Sequence, residues 1–145
     1  MQDGFWLRAG AAWGFLGVAI GAFGAHALKP QLEAAGKAAS FQTGVDYHIY
    51  MALALVAVGI LQALGRPGPA LHLAGWMFLA GGVLFSGSIY ALALTSVKGI
   101  WWVTPTGGLL ILAGWAALAV AAGSVGRPAA DRAEAGAGVV AAESR

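Results

Sequence analysis

The chain has 145 residues, which is room for one domain. Hydrophobic residues make up 59% of it and charged residues only 10%, against about 25% in a typical soluble domain, so the chain lacks the polar residues to cover a water-exposed surface. The net charge is +2, from eight basic and six acidic residues spread singly along the chain, which argues against a nucleic-acid partner. The absence of cysteine excludes disulfide bonds, thiolate metal sites and thiol nucleophiles.

Four charge-poor segments predict four membrane-spanning helices, each long enough to cross about 30 Å of hydrocarbon. The predicted spans cover residues 6–27, 44–65, 73–95 and 104–123. The fourth is expected to begin with Thr104 as its N-cap and Pro105 at the first helical position. The alternation over about 10 residues that is typical of membrane β-strands is absent. The predicted fold class is therefore all-α, an integral membrane four-helix transmembrane bundle formed by residues 1–123.

The first span also has one feature of a cleaved signal peptide, since Ala25-His26-Ala27 resembles a cleavage site. Its apolar segment exceeds the usual 7–15 residues, and the residues before it carry Asp3 with only Arg8 as a basic residue. We therefore expect this span to be retained in the membrane.

The segments outside the spans are short, apart from one loop and the C-terminal tail. Residues 29–46 form the loop, with Pro30 and Gly36 as helix breakers. Its second half is expected to continue into the second span from Ser40 as N-cap, and residues 29–43 alternatively form a helix in the membrane interface. Residues 124–145, rich in glycine, alanine and scattered charges, are predicted to be a disordered tail.

The distribution of lysine and arginine predicts the orientation in the membrane. With four spans, the N-terminus, the 66–72 turn and the tail share one side, and the 29–46 loop and the 3–4 connection share the other. The first side holds Arg8, Arg66, Arg127, Arg132 and Arg145, and the second holds Lys29, Lys37 and Lys98. This bias predicts a multi-pass plasma-membrane protein with both termini in the cytoplasm.

Regularly spaced glycines predict where the helices touch. The first span carries Gly10, Gly14, Gly17, Gly21 and Gly24, at spacings of four, three, four and three. This heptad-like spacing places all five on one stripe, where another helix backbone can come close. Gly82 in the third span, and Gly107 and Gly114 in the fourth, are expected to pack helices in the same way. The spacing does not match phosphate-binding loops.

Polar residues are expected to gather in the half of the bundle away from the termini. This candidate cluster comprises His26, Gln42, Asp46, His48, Ser86, Ser88, Tyr90 and Lys98. Because polar groups in a membrane are costly unless they are paired, Asp46 needs a partner, with His26 or Lys98 the best candidate. A simpler interpretation is that Asp46 and His26 only stabilise helix ends through the helix dipole.

The sequence predicts no catalytic residues, no metal site and no cofactor. It contains no HExxH or GxSxG motif and no pair of acids within one span. Two histidines without ligand spacing are a weak basis for a metal or haem site. Ser86-Gly87-Ser88 lacks the strand-turn-helix setting of a nucleophile elbow and is better explained by close helix packing.

Five short motifs resemble one known family. They are Gly21-Ala-Phe-Gly-Ala-His26, Gln42-Thr-Gly-Val-Asp-Tyr47, Leu84-Phe-Ser-Gly-Ser-Ile-Tyr90, Thr104-Pro-Thr-Gly-Gly108 and Leu112-Ala-Gly-Trp115. In this order, over roughly residues 10–120, they resemble the YgdD-like proteins, domain-of-unknown-function family 423. The resemblance implies a small bacterial four-span membrane protein without an established activity. The chain departs from the pattern of this family at two positions of the second span. The family usually has a histidine where this chain has Met51, and often a glutamine where it has His48.

Two functions follow as hypotheses. The first is a non-catalytic structural or accessory protein that acts through helix–helix contacts, with the lipid bilayer around it and a second copy or another membrane protein as partner. The second is binding or transport of a small molecule, ion or lipid at the polar cluster. A cavity lined by His26, Asp46 and His48 would favour binding. Solid packing there, with a glycine-rich face exposed to lipid, would favour the accessory role.

Overall fold

A computed structural model describes residues 4–65, 68–95, 97 and 99–123, and all of its regular elements are helices. The elements are α1 (Phe5–Ala25), α2 (Lys29–Ala34), α3 (Ala38–Ala63), α4 (Pro69–Leu94) and α5 (Val103–Gly123). Four of them, all except α2, are long and apolar enough to cross a membrane. The predicted all-α fold with four spans is confirmed. The tail at 124–145 lies outside the described residues.

The segment between the first two spans is more helical than a loop. The short helix α2 carries Pro30 near its start and is followed by Gly36 at φ +63, a left-handed conformation that glycine adopts without strain. The N–H of Lys37 then donates to the carbonyl of Leu32 at 2.8 Å, which closes the turn. Helix α3 begins at Ala38 with Lys37 as its N-cap residue, so Ser40 lies inside the first turn rather than at the cap.

The start of α5 also differs from the expectation. The helix begins at Val103, so Thr104 lies within its first turn and is not the N-cap. Its hydroxyl points to α4, where Oγ1 lies 2.7 Å from Ser88 Oγ. The Thr104 hydroxyl therefore connects α5 to α4 instead of capping its own helix.

The glycines of α1 lie against α3. A Cβ added to Gly10 would come within 2.9 Å of the carbonyl oxygen of Ala52, and one added to Gly17 within 2.8 Å of Ile49. Gly14, Gly21 and Gly24 face Ala52, Val45 and Phe41 in the same way. The five glycines, called the glycine seam below, therefore bring two backbones together inside the protein instead of facing lipid.

Glycines also set the distance between α4 and α5. The backbone at Gly107 lies against the backbone of Phe85, and a Cβ at Gly81 would meet the amide nitrogen of Ile111 at 2.9 Å. Gly114 makes room for the Phe78 ring. Gly82 faces the other way and contacts Met51 of α3.

The spanning helices pack in chain order, α1 on α3, α3 on α4 and α4 on α5. Neither α1 with α5 nor α3 with α5 forms an interface of comparable size among the described residues. Helices α1 and α5 are therefore the outer members of an open bundle. Their outward faces carry large apolar side chains, among them Phe15, Val18, Leu109 and Val120, as expected for surfaces in contact with acyl chains.

Two tryptophans connect α1 to α4 across α3. Trp6 and Trp13 are seven residues apart, and so are the glycines that receive them, Gly75 and Gly82. A Cβ at Gly75 would lie 2.6 Å from the Trp6 ring, and one at Gly82 would lie 3.5 Å from Trp13 Nε1. Because α1 and α4 run in the same direction, this spacing keeps their register. Each tryptophan also contacts a histidine. Trp6, His72 and Gly75 are called the Trp6 layer below. Trp13, His48 and Gly82, together with Ser86 and Tyr90, are called the Trp13 layer.

Candidate functional site

The structure distributes the candidate polar residues over several places. His48, Ser86 and Tyr90 belong to the Trp13 layer. Ser88 faces α5, and Gln42 and Asp46 lie on an outward part of α3. His26 stands apart at the end of α1, and Lys98 lies outside the described residues.

His48 is the centre of the Trp13 layer. Its side chain is 3% exposed, and it lies almost parallel to the indole of Trp13, with the ring centroids 4.2 Å apart. His48 Nε2 is 3.0 Å from the carbonyl oxygen of Trp13 in α1, and Nδ1 is 3.2 Å from the hydroxyl of Tyr90 in α4. One histidine in α3 therefore joins three spanning helices.

These contacts define which tautomer the neutral His48 ring adopts. A carbonyl oxygen only accepts hydrogen bonds, so Nε2 carries the proton and donates to Trp13. In the neutral ring Nδ1 is then an acceptor, and the Tyr90 hydroxyl donates to it. Both ring nitrogens are thus used within the protein. The ring reaches the carbonyl of α1 because Gly17, 3.0 Å from His48 Cδ2 at its ideal Cβ position, has no side chain there.

Two polar atoms of the same layer have no hydrogen-bond partner in the part of the chain that the structure describes. They are Nε1 of Trp13 and Oγ of Ser86, both buried. Ser86 is 0% exposed and stands one turn from Gly82 and one turn from Tyr90 on the same face of α4. An unpaired buried group has a free-energy cost, so this layer is not fully satisfied.

The remaining polar residues have local partners. Ser88 Oγ donates to the carbonyl of Phe85 at 2.9 Å and accepts from Thr104 Oγ1. The side-chain amide of Gln42 donates to Asp46 Oδ1 at 2.8 Å, one helical turn away. The partner of Asp46 in the structure is therefore Gln42 and not His26, because His26 lies on a different helix end while position 42 faces position 46 on the same one.

His26 forms the C-terminal end of α1. Its backbone N–H donates to the carbonyl of Ala22 at 3.1 Å, and its exposed side chain lies in a shallow apolar depression with Phe23 and Ala27. Among the described residues the His26 side chain makes no hydrogen bond and no ion pair. His26 therefore does not join the other three residues of the predicted site, whereas Tyr90 contacts His48 Nδ1 and also experiences the charge of Asp46.

A second location was not found by sequence reasoning. A groove of about 340 Å³ lies at the end of the bundle where α4 ends and where α3 and α5 begin. It is lined by Lys37, Ser40, Thr43, Ile89, Leu92, Ala93 and Thr104. The residues come from three helices and share no spacing motif. The only available sequence signal was a lone lysine directly before a long apolar segment.

The geometry offers little for metal binding or acid–base chemistry. In the part of the chain that the structure describes, no group of three or more His, Asp or Glu side chains could hold a metal ion. The buried His48 has both ring nitrogens engaged, Ser88 contacts Thr104 of α5, and Ser86 Oγ has no hydrogen-bond partner among the described residues.

Comparison with known proteins identifies similar sequences. The model of a family described as "Protein of unknown function (DUF423)" matches residues 20–108. The "UPF0382 inner membrane protein YgdD" of Escherichia coli K12 is 42% identical over 124 residues, which cover 84% of this chain and 92% of the relative. No solved structure matches the chain.

Two further relatives come from other bacteria. A "UPF0382 membrane protein" of Haemophilus influenzae is 44% identical over 107 residues, covering 73% of this chain and 83% of the relative. The "UPF0382 membrane protein YwdK" of Bacillus subtilis 168 is 39% identical over 113 residues, covering 78% and 91%. All three are named as membrane proteins, in agreement with the four apolar helices.

Proposed function

The chain belongs to the DUF423 family of bacterial membrane proteins, and from this premise we propose that it is a non-catalytic accessory protein of the inner membrane that acts through helix–helix contacts. The observation that carries the proposal is the use of His48, whose ring nitrogens are both bound to neighbouring helices. The residue best suited to proton transfer therefore holds the bundle together. Trp13 stacks on its ring from α1 and the Tyr90 hydroxyl contacts it from α4.

The surface for such contacts is on the outer helices. The glycine seam is used internally against α3, so it does not offer a face for a partner. The outward faces of α1 and α5 remain, where Phe15 is 75% exposed and Leu109 is 67% exposed. A second copy or another membrane protein would pack on one of these faces.

Photocrosslinking in native membranes tests this proposal. A photoreactive amino acid replaces Phe15 in α1 or Leu109 in α5, and Glu33, which lies outside the spans, is the control position. We expect a discrete protein adduct at one of the first two positions and none at Glu33. Adducts with lipid alone at both outward positions would contradict a role based on helix contacts.

The orientation is part of the same proposal. The bias of lysine and arginine supports a cytoplasmic location for both termini. A green fluorescent protein fused to the C-terminus is expected to fluoresce, and an alkaline phosphatase fused there is expected to be inactive. The opposite pair of results would reverse the topology.

A further inference from the structure

The groove beside Lys37 results from the way the helices pack. Helices α3 and α5 both lie on α4, but they form no comparable interface with each other, so part of the α4 surface between them stays uncovered. Ile89, Leu92 and Ala93 of α4 form the apolar wall of the groove. Its volume of about 340 Å³ lies at the lower end of the range of small-ligand sites, roughly 300–1,000 Å³.

The lysine is held at the groove by a helix end. Its ammonium donates to the carbonyl oxygen of Leu92, which lies in the last turn of α4, where carbonyls lack partners within the helix. An ammonium has three donors, so two remain available. The contact with Leu92 restricts the long side chain and keeps its charge beside the apolar wall.

The hydroxyls of the groove differ in what they can offer. Thr43 Oγ1 donates to the carbonyl of Ala39 at 3.1 Å, and Thr104 donates to Ser88. Ser40 Oγ has no hydrogen-bond partner among the described residues and is exposed. The free donors are therefore the ammonium of Lys37 and the hydroxyl of Ser40, three residues apart across the first turn of α3.

The charge of the groove is positive. None of the described residues that line it is acidic. The nearest acids along the chain are engaged elsewhere, Asp46 with Gln42 at 2.8 Å and Glu33 with Lys29 at 3.9 Å. An anionic group would meet a cation and a hydroxyl here, and no carboxylate among the described lining residues would repel it.

We propose that the groove binds an anionic phospholipid, with the phosphate at Lys37 and Ser40 and an acyl chain along Ile89, Leu92 and Ala93. The location favours lipid over a soluble anion, because the groove lies where one spanning helix ends and two begin, and headgroups are expected around such helix ends. Exposed Trp101 and Trp102 precede α5 at the same end, as is typical of an interfacial belt. A lysine ammonium binds a phosphate as a point charge, which suits a lipid headgroup at this end of the bundle.

Native mass spectrometry of the full chain in detergent, titrated with phosphatidylglycerol, tests the proposal. We expect phosphatidylglycerol to bind better than phosphatidylcholine, and Lys37→Gln to weaken phosphatidylglycerol binding about fivefold, the effect of one lysine near a membrane surface. Lys29→Gln is the matched control, since it removes an equal charge from a side chain that is 61% exposed and does not line the groove. Equal binding by both variants would overturn the proposal.

Two further variants separate binding from folding. Lys37→Arg should retain most of the affinity, because it keeps the charge. Ser40→Leu leaves the contact between Lys37 and Leu92 intact but obstructs the groove, so it should also weaken binding several-fold. Unchanged affinity in Ser40→Leu would place the lipid elsewhere. Excess inorganic phosphate should not displace the lipid, and full displacement would indicate a site for the free anion instead.

Discussion

The Trp6 layer and the Trp13 layer use the same three residue types in different ways. In the Trp6 layer the indole N–H donates to Nδ1 of His72 at 3.3 Å, and the ring fills the space left by Gly75. In the Trp13 layer the indole stacks on His48, and its N–H has no partner among the residues described. The histidine binds the backbone carbonyl of the same tryptophan. In the Trp6 layer a hydrogen bond between two side chains connects α1 to α4. In the Trp13 layer the hydrogen bond to α1 is made to a backbone carbonyl.

The difference between the layers follows from their depth. His72 is in the first turn of α4, near the membrane surface, where water and headgroups can serve a polar group that lacks a partner. His48 lies more than two turns inside α3 and is buried, so its hydrogen bonds must come from the neighbouring helices. The same pair of residues is therefore a surface contact in one layer and a connection of three helices in the other.

Removing each histidine should give the largest difference between the layers. We expect His48→Ala to lower the free energy of unfolding by about 3 kcal/mol, because it leaves a cavity and an unpaired Tyr90 hydroxyl. His72→Ala should cost about 1 kcal/mol, the net worth of one hydrogen bond. Unfolding in mixed detergent micelles measures both. Equal losses would show that depth does not distinguish the two histidines.

Adding a methyl group to each receiving glycine should give a smaller difference. Gly75→Ala places its Cβ 2.6 Å from the rigid, buried indole of Trp6, so we expect a loss of about 2 kcal/mol. Gly82→Ala meets Met51 at 3.2 Å, and methionine adapts its shape, so the loss should stay below about 1 kcal/mol. The same unfolding measurement applies. The reverse order would mean that Trp13, and not Trp6, is the tightly held ring.

The smallest effect concerns the unpaired hydroxyl of the Trp13 layer. Ser86→Ala removes a buried group without a partner, so we expect stability to stay unchanged or to rise by up to about 1 kcal/mol. Ser88→Ala removes the contact with Thr104 and should lower stability by about 0.6 kcal/mol, the average for such bonds in membranes. A clear loss in Ser86→Ala would indicate that the hydroxyl has a partner in the folded protein.

The α1 glycines show how much a periodic sequence pattern predicts about helix packing. Their spacing placed all five on one stripe, and in the structure all five face α3. The pattern did not show which helix the glycines contact, and that contact determines whether they form an internal interface or a surface for a partner. A stripe facing lipid would have been a surface for a partner, whereas a stripe facing α3 is internal.

The polar residues were harder to predict. Asp46 and Gln42 are four residues apart on one helix, so their contact could have been read from the spacing. The contacts of His48 with Trp13 and Tyr90 span 35 and 42 residues and depend on the rotation of three helices about their axes. Lys37 and Leu92 are 55 residues apart, and no local signal relates them.

The sequence alone determined the class of protein, because a chain with 59% hydrophobic residues and four long charge-poor segments is stable only with lipid around it and with its backbone hydrogen bonds closed within helices. Hydropathy and helical period are local properties, so both can be read from the sequence without knowledge of the fold. Only the tertiary structure decided which faces meet. In a membrane nearly all faces are apolar, so hydrophobicity does not separate inside from outside, and close packing at glycine together with a few hydrogen bonds selects the arrangement.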